Sequence, residues 1–411
     1  MTDIQIKLLT EILGDPNKTY EQIAQDAFYS ASYIKRFVAP QLWKLLSEAW
    51  GEKITKANFI GKLDREIESS MPPRSILELP YDAVPLNSPY YIDRPPIETD
   101  CYREILSDHA LIRITAPRHM GKTSLISRIV AHGKAHNYYG VWLTLNLAES
   151  ELFLNPPRFF RWFCANLTRQ LPIPSQLDDY WDEDIGYLMS CTFYMRSHVL
   201  ETIDAPIILV LDEVNVLFDY LNLARDFFSM LRAWHEESKD AEIWQKLRLV
   251  ISNSTEVYVN LDANCSPFNV GMSVVLPPFN VSQIDDLSRR HGLNLSANEI
   301  DAIALKLGGF PALIRQLFYE MVRRELSRSA AFKDAATENG IFSRDLQEKL
   351  DNLQQNPELA ETYRNILRDR VPPLLEQKQI FQLKSLGLIH WDGRAARVSC
   401  DLYRQYFGDR L

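Results

Sequence analysis

Five short apolar runs, separated by stretches with helical periodicity, dominate the middle of the chain. The runs are LIRITA (111–116), GVWLTLNL (140–147), PIILVLD (206–212), LRLVIS (247–252) and SVVLP (273–277). Such alternation of strand-like and helical segments is typical of a mostly parallel sheet covered by helices. Residues 97–279 are therefore predicted to form an α/β domain.

The flanking segments carry different patterns. Residues 1–68 have helical periodicity, with Thr19 as a helix cap, and predict a small all-α domain. Residues 69–96 are rich in proline and turn formers and predict a linker. Residues 280–340 are helical again, and 341–411 end in a helix, two short strands around Asp392 and Gly393, and an amphipathic stretch.

Composition narrows the class of protein. The 411 residues are 46% hydrophobic and 24% charged, which is enough to build several globular domains. A net charge of -9 argues against a protein that coats nucleic acid through its overall electrostatic field. The five cysteines are scattered without a C-x-x-C pair and indicate reduced core residues. The longest apolar run, APIILVL (205–211), is too short for a membrane span, so we expect a cytoplasmic protein without a membrane segment.

The first candidate site is APRHMGKTS, which joins an apolar run to a helical stretch. A phosphate-binding loop needs backbone N–H groups around the phosphates, a lysine and a hydroxyl for Mg²⁺. Gly121, Lys122 and Thr123 supply the last glycine, the lysine and the hydroxyl, and Ala116 replaces the usual first glycine. Alanine is tolerated there if the backbone does not need a positive φ. The predicted nucleotide contacts in this loop are Ala116, Pro117, Arg118, His119, Met120, Gly121, Lys122, Thr123 and Ser124.

The second candidate element is the buried run that ends in Asp212 and Glu213. An aspartate at the end of a central strand can hold Mg²⁺ with its water shell, and the adjacent glutamate can polarise the attacking water. A third run ends in a polar cluster from Ser252 to Thr255. Asn253 or Ser254 is a candidate contact to the γ-phosphate or its water, although small polar residues also favour ordinary strand-end turns. Glu213, Lys122 and Asn253 are the predicted catalytic residues, and Thr123 and Asp212 the predicted metal ligands.

The phrases APRHMGKTSL, LVLDEVN and GGFPALIRQ resemble the bacterial AAA-like domain family of P-loop ATPases, which is related to the signalling ATPases with numerous domains, the STAND class. The resemblance covers residues from about 80 to 330. It implies a three-layer α/β sandwich with the loop strand between the outer and carboxylate strands, a helical lid (280–340) and a winged helix (341–411). It also implies that Tyr91 and Arg94 contact adenine, and that Pro311 packs near the base. Asn215 stands where the family usually has a second aspartate.

Residues 1 to about 66 resemble the N-terminal helix-turn-helix domain of proteins associated with vWA and MoxR systems. YEQIAQDA is the first helix, FYS the turn, and ASYIKRFVAPQLWKLL a recognition-type helix expected to break at Pro40. Lys35 and Arg36 are the candidate DNA contacts. The domain carries too little net positive charge to favour DNA binding, because contacts with phosphates dominate the affinity for DNA. Protein docking or plain helical packing is therefore the preferred role of this domain.

Together these elements predict a nucleotide-driven switch that binds ATP or ADP with Mg²⁺ and hydrolyses ATP slowly. The nucleotide state would set the orientation of the lid and the winged helix. In a STAND-like protein that change frees the N-terminal domain for a protein partner or allows self-association. The alternative is an ATP-regulated DNA-binding protein that uses the helix-turn-helix and the winged helix.

Overall fold

The chain divides into two compact units, Met1–Glu78 and Leu79–Leu411. The structure, a computed structural model, describes residues 2–14, 18–26, 29–70, 77–254, 267–368 and 376–411, and for residues 3, 14 and 64–70 the backbone only. Three features discussed above lie partly outside these ranges: the turn at Phe28, the start of the proline-rich segment (71–76) and Thr255 of the polar cluster.

The first unit is all helical in its described part. Its elements are α1 (Asp3–Gly14), α2 (Tyr20–Asp26), α3 (Ala31–Tyr33), a π-helical segment (Ile34–Val38), α4 (Ala39–Trp50) and α5 (Lys56–Ser70). Thr19 caps α2 as predicted, because its hydroxyl accepts from the Gln22 N–H at 3.3 Å while the Gln22 side chain accepts from the Thr19 N–H at 2.7 Å. Leu8, Ile23, Ile34 and Leu42 are among the buried residues that join these helices in one small core.

The expected break at Pro40 is replaced by a change of helical pitch. The chain stays helical from Ala31 to Trp50, and Pro40 lies in the first turn of α4, directly after the π-helical segment. Proline has no N–H and its ring crowds the preceding turn, so it fits where a helix restarts. The wider π spacing before Pro40 accommodates the ring without ending the helix.

The second unit is built on a five-stranded parallel sheet. Its strands are β1 (Leu111–Thr115), β2 (Tyr139–Thr144), β3 (Ile207–Asp212), β4 (Leu247–Asn253) and β5 (Met272–Val275), in the spatial order β2-β3-β4-β1-β5. All four pairings are parallel. The five predicted runs therefore form one sheet. The loop strand β1 lies between the edge strand β5 and β4, and the carboxylate strand β3 follows beyond β4.

The sheet separates two hydrophobic cores, which confirms the three-layer architecture. Ile208 and Val210 of β3 face one core together with the helix that follows the loop, whereas Leu209 and Leu211 face the other core. Alternate residues of a strand point to opposite faces, so a fully apolar strand is the pattern expected for a sheet covered on both sides. The helices on these two faces are α6 (Ile97–Ile105), α7 (Lys122–Ala135), α8 (Ser150–Phe153), α9 (Pro156–Thr168), α10 (Leu177–Tyr180), α11 (Gly186–Tyr194) and α12 (Leu221–Glu237).

The carboxyl-terminal third belongs to the same compact unit. Its helices are α13 (Val281–Arg290), α14 (Ala297–Leu307), α15 (Pro311–Arg323), α16 (Arg328–Lys333), α17 (Ser343–Gln354), α18 (Pro357–Leu367), α19 (Gln377–Ser385) and α20 (Asp401–Gly408). An antiparallel ribbon of β6 (Ile389–Trp391) and β7 (Ala396–Val398) lies between α19 and α20 in the chain. Buried residues of these helices continue the core that begins on the α7 face of the sheet.

His291, at the end of α13, is a buried histidine in this core. Its ring packs on Tyr90 with centroids 4.2 Å apart, and its Nδ1 lies 2.8 Å from the Leu287 carbonyl. Burial lowers the pKa of His291 to about 4, and the nearby Arg315 guanidinium acts in the same direction. The side chain is therefore neutral in the folded protein at physiological pH, and its ring N–H donates to Leu287.

Acid should destabilise the fold through His291. The unfolded state binds a proton near pH 6.5 and the folded state only near pH 4, so this stability is present above pH 6.5 and is lost as the pH falls to about 4, by up to about 3 kcal/mol. In urea unfolding of the full chain between pH 7.5 and 4, His291→Gln should lower stability at pH 7.5 and flatten its pH dependence. The same change at the exposed His136 should keep the wild-type slope; equal slopes in all three proteins would contradict this assignment.

Candidate functional site

The predicted loop joins the end of β1 to the start of α7, at the carboxyl edge of the sheet. The backbone is left-handed at His119 (φ 66°) and at Gly121 (φ 90°). The other non-glycine residues of the described chain with positive φ are Asn137, Glu213 and Glu325, so Ala116 has an ordinary backbone. Because the first loop position needs no positive φ, alanine can replace glycine there without strain.

The loop lysine is buried at the sheet edge and is held by oxygen atoms. Lys122 is 6% exposed, and its Nζ donates to the carbonyls of Ala116 (2.9 Å) and Pro117 (3.3 Å) and to the Ser254 hydroxyl (3.3 Å). Burial lowers the pKa of Lys122, whereas the carboxylates of Glu213 and Asp212 act in the opposite direction. An ammonium group held in this way gains free energy from a further anion beside it.

The two acids predicted at the end of β3 lie near this lysine. Asp212 is 6% exposed, and one of its carboxylate oxygens accepts from the Glu213 N–H at 3.1 Å. Burial raises the pKa of Asp212, and the Glu213 charge adds to this effect. Both carboxylate oxygens of Glu213 lie within 3.1 Å of the Ser254 hydroxyl. Lys122, Asp212 and Glu213 are thus brought together, since Ser254 bonds to both Lys122 and Glu213, and the Glu213 N–H donates to Asp212.

Asn253 lines a second cleft, of about 370 Å³, together with Ser254, Ala116 and Pro117. Its side-chain oxygen Oδ1 accepts from the Thr115 hydroxyl at 3.1 Å. The residue that reaches Lys122 and Glu213 is its neighbour Ser254. The contact of Asn253 or Ser254 with a γ-phosphate stays a prediction.

A larger cleft, of about 510 Å³, opens on the other side of the loop. It has the size of a pocket for a small organic molecule. The predicted site residues that line it are Tyr91, Arg94, Arg118, His119, Gly121, Lys122, Thr123, Ser124, Glu213 and Pro311. Ala116, Met120 and Asp212 are buried and do not line this cleft.

Several lining residues were not predicted from the sequence. They come from the proline-rich segment, from the turn after β2 and from the region that follows the sheet: Tyr81, Asp82, Val84, Asn146, Phe279, Leu287 and Arg315. Arg315 is buried on α15, its guanidinium donates to the Asp82 carbonyl at 3.3 Å, and it lies 5.9 Å from the Tyr90 ring centroid. A signal was present in the sequence, since Arg315 follows Pro311 by one helical turn and the two positions share a face.

The segment before α6 forms one wall of the cleft and is fixed to α7. The Val84 N–H donates to the Ser124 hydroxyl at 2.9 Å, and Arg128 donates to the carbonyls of Val84 (3.0 Å) and Pro85 (2.8 Å). The Arg128 guanidinium also lies 3.5 Å from the centroid of the Tyr91 ring. Residues 79–96 are thus part of the site and not a free linker.

Arg94 is bonded to the loop itself. Its guanidinium donates to the Met120 carbonyl at 2.9 Å, and its backbone N–H donates to Glu98 at 2.8 Å. Glu98 also accepts from the Tyr91 hydroxyl at 2.9 Å. Since Arg94 turns the Met120 carbonyl toward itself, it orients the peptide that precedes Gly121.

The loop also contacts the carboxyl-terminal helices. The Arg118 side chain pairs with Glu348 of α17 at 3.0 Å, and the Arg118 N–H donates to the Ser385 carbonyl at 3.2 Å. His119 Nε2 lies 3.6 Å from Asp345 of α17, and burial lowers the pKa of His119. The loop therefore lines the cleft and also contacts the carboxyl-terminal helices.

The residues present fit a magnesium ion that is bound largely by phosphate. Thr123 lines the cleft. Asp212 is a carboxylate whose pKa is raised by burial, and a cation beside it would stabilise its charged form. Within the described ranges no cluster of three or more His, Cys, Asp or Glu side chains is suited to hold a metal on its own.

The candidate DNA contacts lie in the first unit. Lys35 and Arg36 occupy the π-helical segment, and both are exposed. Lys35 pairs with Glu21 of α2, which neutralises one of the two cations. In the part of the chain that the structure describes, no helix is both long enough and apolar enough to cross a membrane.

Gly121→Ala should disrupt the loop selectively. The added methyl group would lie 3.2 Å from an Arg94 guanidinium nitrogen, on a backbone with φ 90°. We expect a loss of about 1 kcal/mol in stability and about tenfold in ATP affinity. Gly186→Ala is a matched control, since Gly186 has φ 80° and open space around the added carbon. It should lose similar stability and no affinity in calorimetric titrations; an equal loss of affinity in both variants would contradict the role of Gly121.

Comparisons with known proteins agree with this geometry. Residues 79–409 match the family model of the AAA-like domain, and residues 1–66 match that of the vWA-MoxR associated protein N-terminal HTH. No curated protein matches the chain. Among solved structures, the Walker-type ATPase PABY2304 of Pyrococcus abyssi has a TM-score of 0.55 at 14% identity, over 78% of this chain and 96% of that one.

Two further solved structures are more distant. Cdc6p from Pyrobaculum aerophilum has a TM-score of 0.41 at 16% identity, over 80% of this chain and 100% of that one. The STAND protein PH0952 from Pyrococcus horikoshii has a tetratricopeptide repeat sensor. Its TM-score is 0.34 at 15% identity, over 82% of this chain and 45% of that one. The family match covers most of the chain, and the sheet order and the loop agree with it. The chain therefore belongs to the AAA-like domain family and has the fold of a P-loop ATPase.

Proposed function

We propose that this protein is a nucleotide-driven switch that binds ATP or ADP with Mg²⁺ in the 510 Å³ cleft and hydrolyses ATP slowly. The observation that carries the proposal is that one loop serves two sets of contacts. Lys122, Arg118 and His119 line the cleft, and Arg118 and His119 also contact Glu348 and Asp345 of α17. A ligand that changes the loop therefore changes its hold on the carboxyl-terminal helices.

Charge supports a phosphate ligand in this cleft. Lys122, Arg94 and Arg118 line it beside the amino-terminal end of α7, a 14-residue helix whose dipole favours an anion there. Tyr91 and Phe279 line the same cleft and offer ring surfaces to a base. The arrangement suits a ligand with a planar apolar end and a polyanionic end, as in a nucleoside triphosphate.

For hydrolysis, we assign to Glu213 the role of taking a proton from water. As the water oxygen bonds to the terminal phosphorus, the bond from that phosphorus to the bridging oxygen breaks, and the proton passes on to the phosphate products. Thr123 and Asp212 would hold Mg²⁺, which supplies charge neutralisation for the phosphate oxygens. Lys122 binds the phosphates, and Arg94 keeps the loop peptide in place through the Met120 carbonyl.

The free energy that the switch can use follows from the contacts between the loop and α17. Arg118 and Glu348 are 43% and 47% exposed, and pairs with this exposure contribute about 0.2–1 kcal/mol. A phosphate that draws Arg118 away shifts the loop–α17 equilibrium by no more than that difference. Several such contacts, including the Arg118 N–H to Ser385, must change together to move the equilibrium far.

The first unit is the proposed site for a protein partner. Its recognition-type helix and the turn before it expose a row of aromatic rings: Tyr29 (49% exposed), Tyr33 (44%) and Phe37 (58%), with neighbouring centroids about 6 Å apart. Exposed large aromatic side chains at helical spacing are typical of protein-docking faces. The Lys35–Glu21 pair beside them weakens the case for DNA, so protein docking is favoured.

Lys122→Ala tests the proposal directly. Loss of the ammonium group should lower ATP and ADP affinity by at least about 100-fold and abolish nucleotide-dependent changes in hydrogen exchange of α17. Lys134→Ala is the control, because Lys134 is exposed on the same helix. Glu213→Gln should bind ATP but release phosphate at least about 100 times more slowly. If Lys122→Ala keeps both the affinity and the response of α17, the proposed function is wrong.

Glu348→Gln tests the coupling between the loop and α17. With its partner neutral, Arg118 is free for phosphate, and ATP affinity should rise about two- to fivefold, as expected for a half-exposed ion pair. Asp351→Asn is the matched control on the same helix, where the carboxylate accepts from Gln347 at 2.7 Å and not from the loop. Coupling through this pair is ruled out if the two variants bind ATP equally well.

A further inference from the structure

Helix α11 is apolar on both of its faces. One face packs into the core of the second unit through buried side chains such as Tyr194. The opposite face exposes Ile185, Met189 and Phe193, which are 48%, 58% and 48% exposed. No residue from 185 to 195 is charged. Since a surface helix normally has a polar outer face, the exposed side of α11 is unusual for a helix in contact with solvent alone.

The three exposed side chains form one row. They are four residues apart, which places them on the same side of the helix in successive turns. The Phe193 ring also packs on Tyr180 with centroids 5.7 Å apart, and this extends the apolar surface onto α10. Tyr180, Ile185, Met189 and Phe193 define what we call the α11 face. A row with this spacing is suited to bind a second helix through apolar side chains of the same spacing.

Carboxylates border the α11 face. Five exposed acids precede the helix: Asp178, Asp179, Asp182, Glu183 and Asp184. Their segment is held against α11, because the Asp182 N–H donates to the Ser190 hydroxyl at 3.1 Å and that hydroxyl donates to the Asp182 carbonyl at 2.7 Å. Arg161 pairs with Asp178, whereas the other four carboxylates have no ion pair with any described residue. The border of the face is therefore negatively charged.

This charge distinguishes between the kinds of partner that an apolar face can bind. Nucleic acids and anionic membrane surfaces are negative and would be repelled by these carboxylates. A helix with Lys or Arg beside its apolar row would be attracted, with its cations near residues 182–184 and its apolar side chains on Met189 and Phe193. Methionine suits the middle of such a face, because its flexible side chain adapts to the surface that it contacts.

We propose that the α11 face is a docking site for a basic amphipathic helix of a partner protein. The partner helix carries apolar side chains at four-residue spacing and Lys or Arg residues along one edge of that row. None of the residues of the α11 face lines the 510 Å³ cleft. This interaction surface is therefore additional to the nucleotide-binding function proposed above and does not depend on it.

A model helix tests the apolar row in the full chain. The probe is a labelled synthetic peptide of leucine and lysine whose leucines fall on one side of a helix, and its binding is measured by fluorescence anisotropy. Ile185→Gln with Met189→Gln should weaken binding at least about tenfold, because less apolar surface is buried. Leu305→Gln is the control, since Leu305 is 68% exposed on α14. A peptide with the same residues in alternating order should bind at least about tenfold more weakly.

The acidic border is tested with the same probe. Glu183→Gln with Asp184→Asn should weaken binding about three- to tenfold and reduce its dependence on salt. Asp301→Asn with Glu358→Gln removes the same charge from exposed positions on α14 and α18 and is the matched control. If the two pairs of substitutions have equal effects, the carboxylates of the border do not attract the helix and the proposal is wrong.

The remaining outcomes also decide the proposal. Met189→Leu keeps an apolar side chain and should bind the peptide as the wild type does, so a tenfold loss in this variant would contradict it. Equal binding of the two peptides would overturn it as well. Self-association of the chain, or binding to phosphatidylglycerol vesicles, that Met189→Gln abolishes would assign the face to another occupant. Lys122→Ala should leave peptide binding unchanged, which separates this site from the nucleotide-binding function.

Discussion

The burial of one ammonium group at the edge of a sheet organises this site. Lys122 is only 6% exposed, so the surrounding chain must supply most of the oxygen atoms that stabilise its charge, and the carbonyls of Ala116 and Pro117 do so. Because these carbonyls belong to the loop itself, the loop folds back over its own lysine. It also brings the end of β4 close to the end of β3, because Ser254 bonds to both Lys122 and Glu213. The remaining polar groups of the site are arranged around this charge.

The strand order explains why residues far apart in sequence meet here. In a parallel sheet every strand ends at the same edge, so the loop after β1, the acids after β3 and the hydroxyl after β4 converge without any long-range insertion. Strand β4 lies between β1 and β3, which places Ser254 between the loop lysine and the acids. The sheet provides the common edge, and local residues decide what chemistry is placed on it.

The parts of the site that sequence analysis identified are those coded within a few residues. The strands follow from continuous apolar runs, and Lys122, Asp212 and Glu213 follow from the residues that directly succeed those runs. The role of Ser254 was left open between a strand-end turn and a ligand contact, because its partners Glu213 and Lys122 lie 41 and 132 positions away. The wall formed by Val84 was also missed. A proline-rich composition is typical of linkers. The hydrogen bonds of Ser124 and Arg128 that fix this segment leave no periodic pattern in the sequence.

The attachment of that wall has a geometric consequence. Lys122 lies at the start of α7, and Arg128, less than two turns later, holds the carbonyls of Val84 and Pro85 and covers the Tyr91 ring. One helix, with a rise of about 1.5 Å per residue, therefore sets the distance between Lys122 and the wall that Val84, Pro85 and Tyr91 form. A single deletion between Lys122 and Arg128 would shorten this distance and rotate Arg128 by about 100° away from its partners. The length of the cleft thus depends on the number of residues in one helical segment.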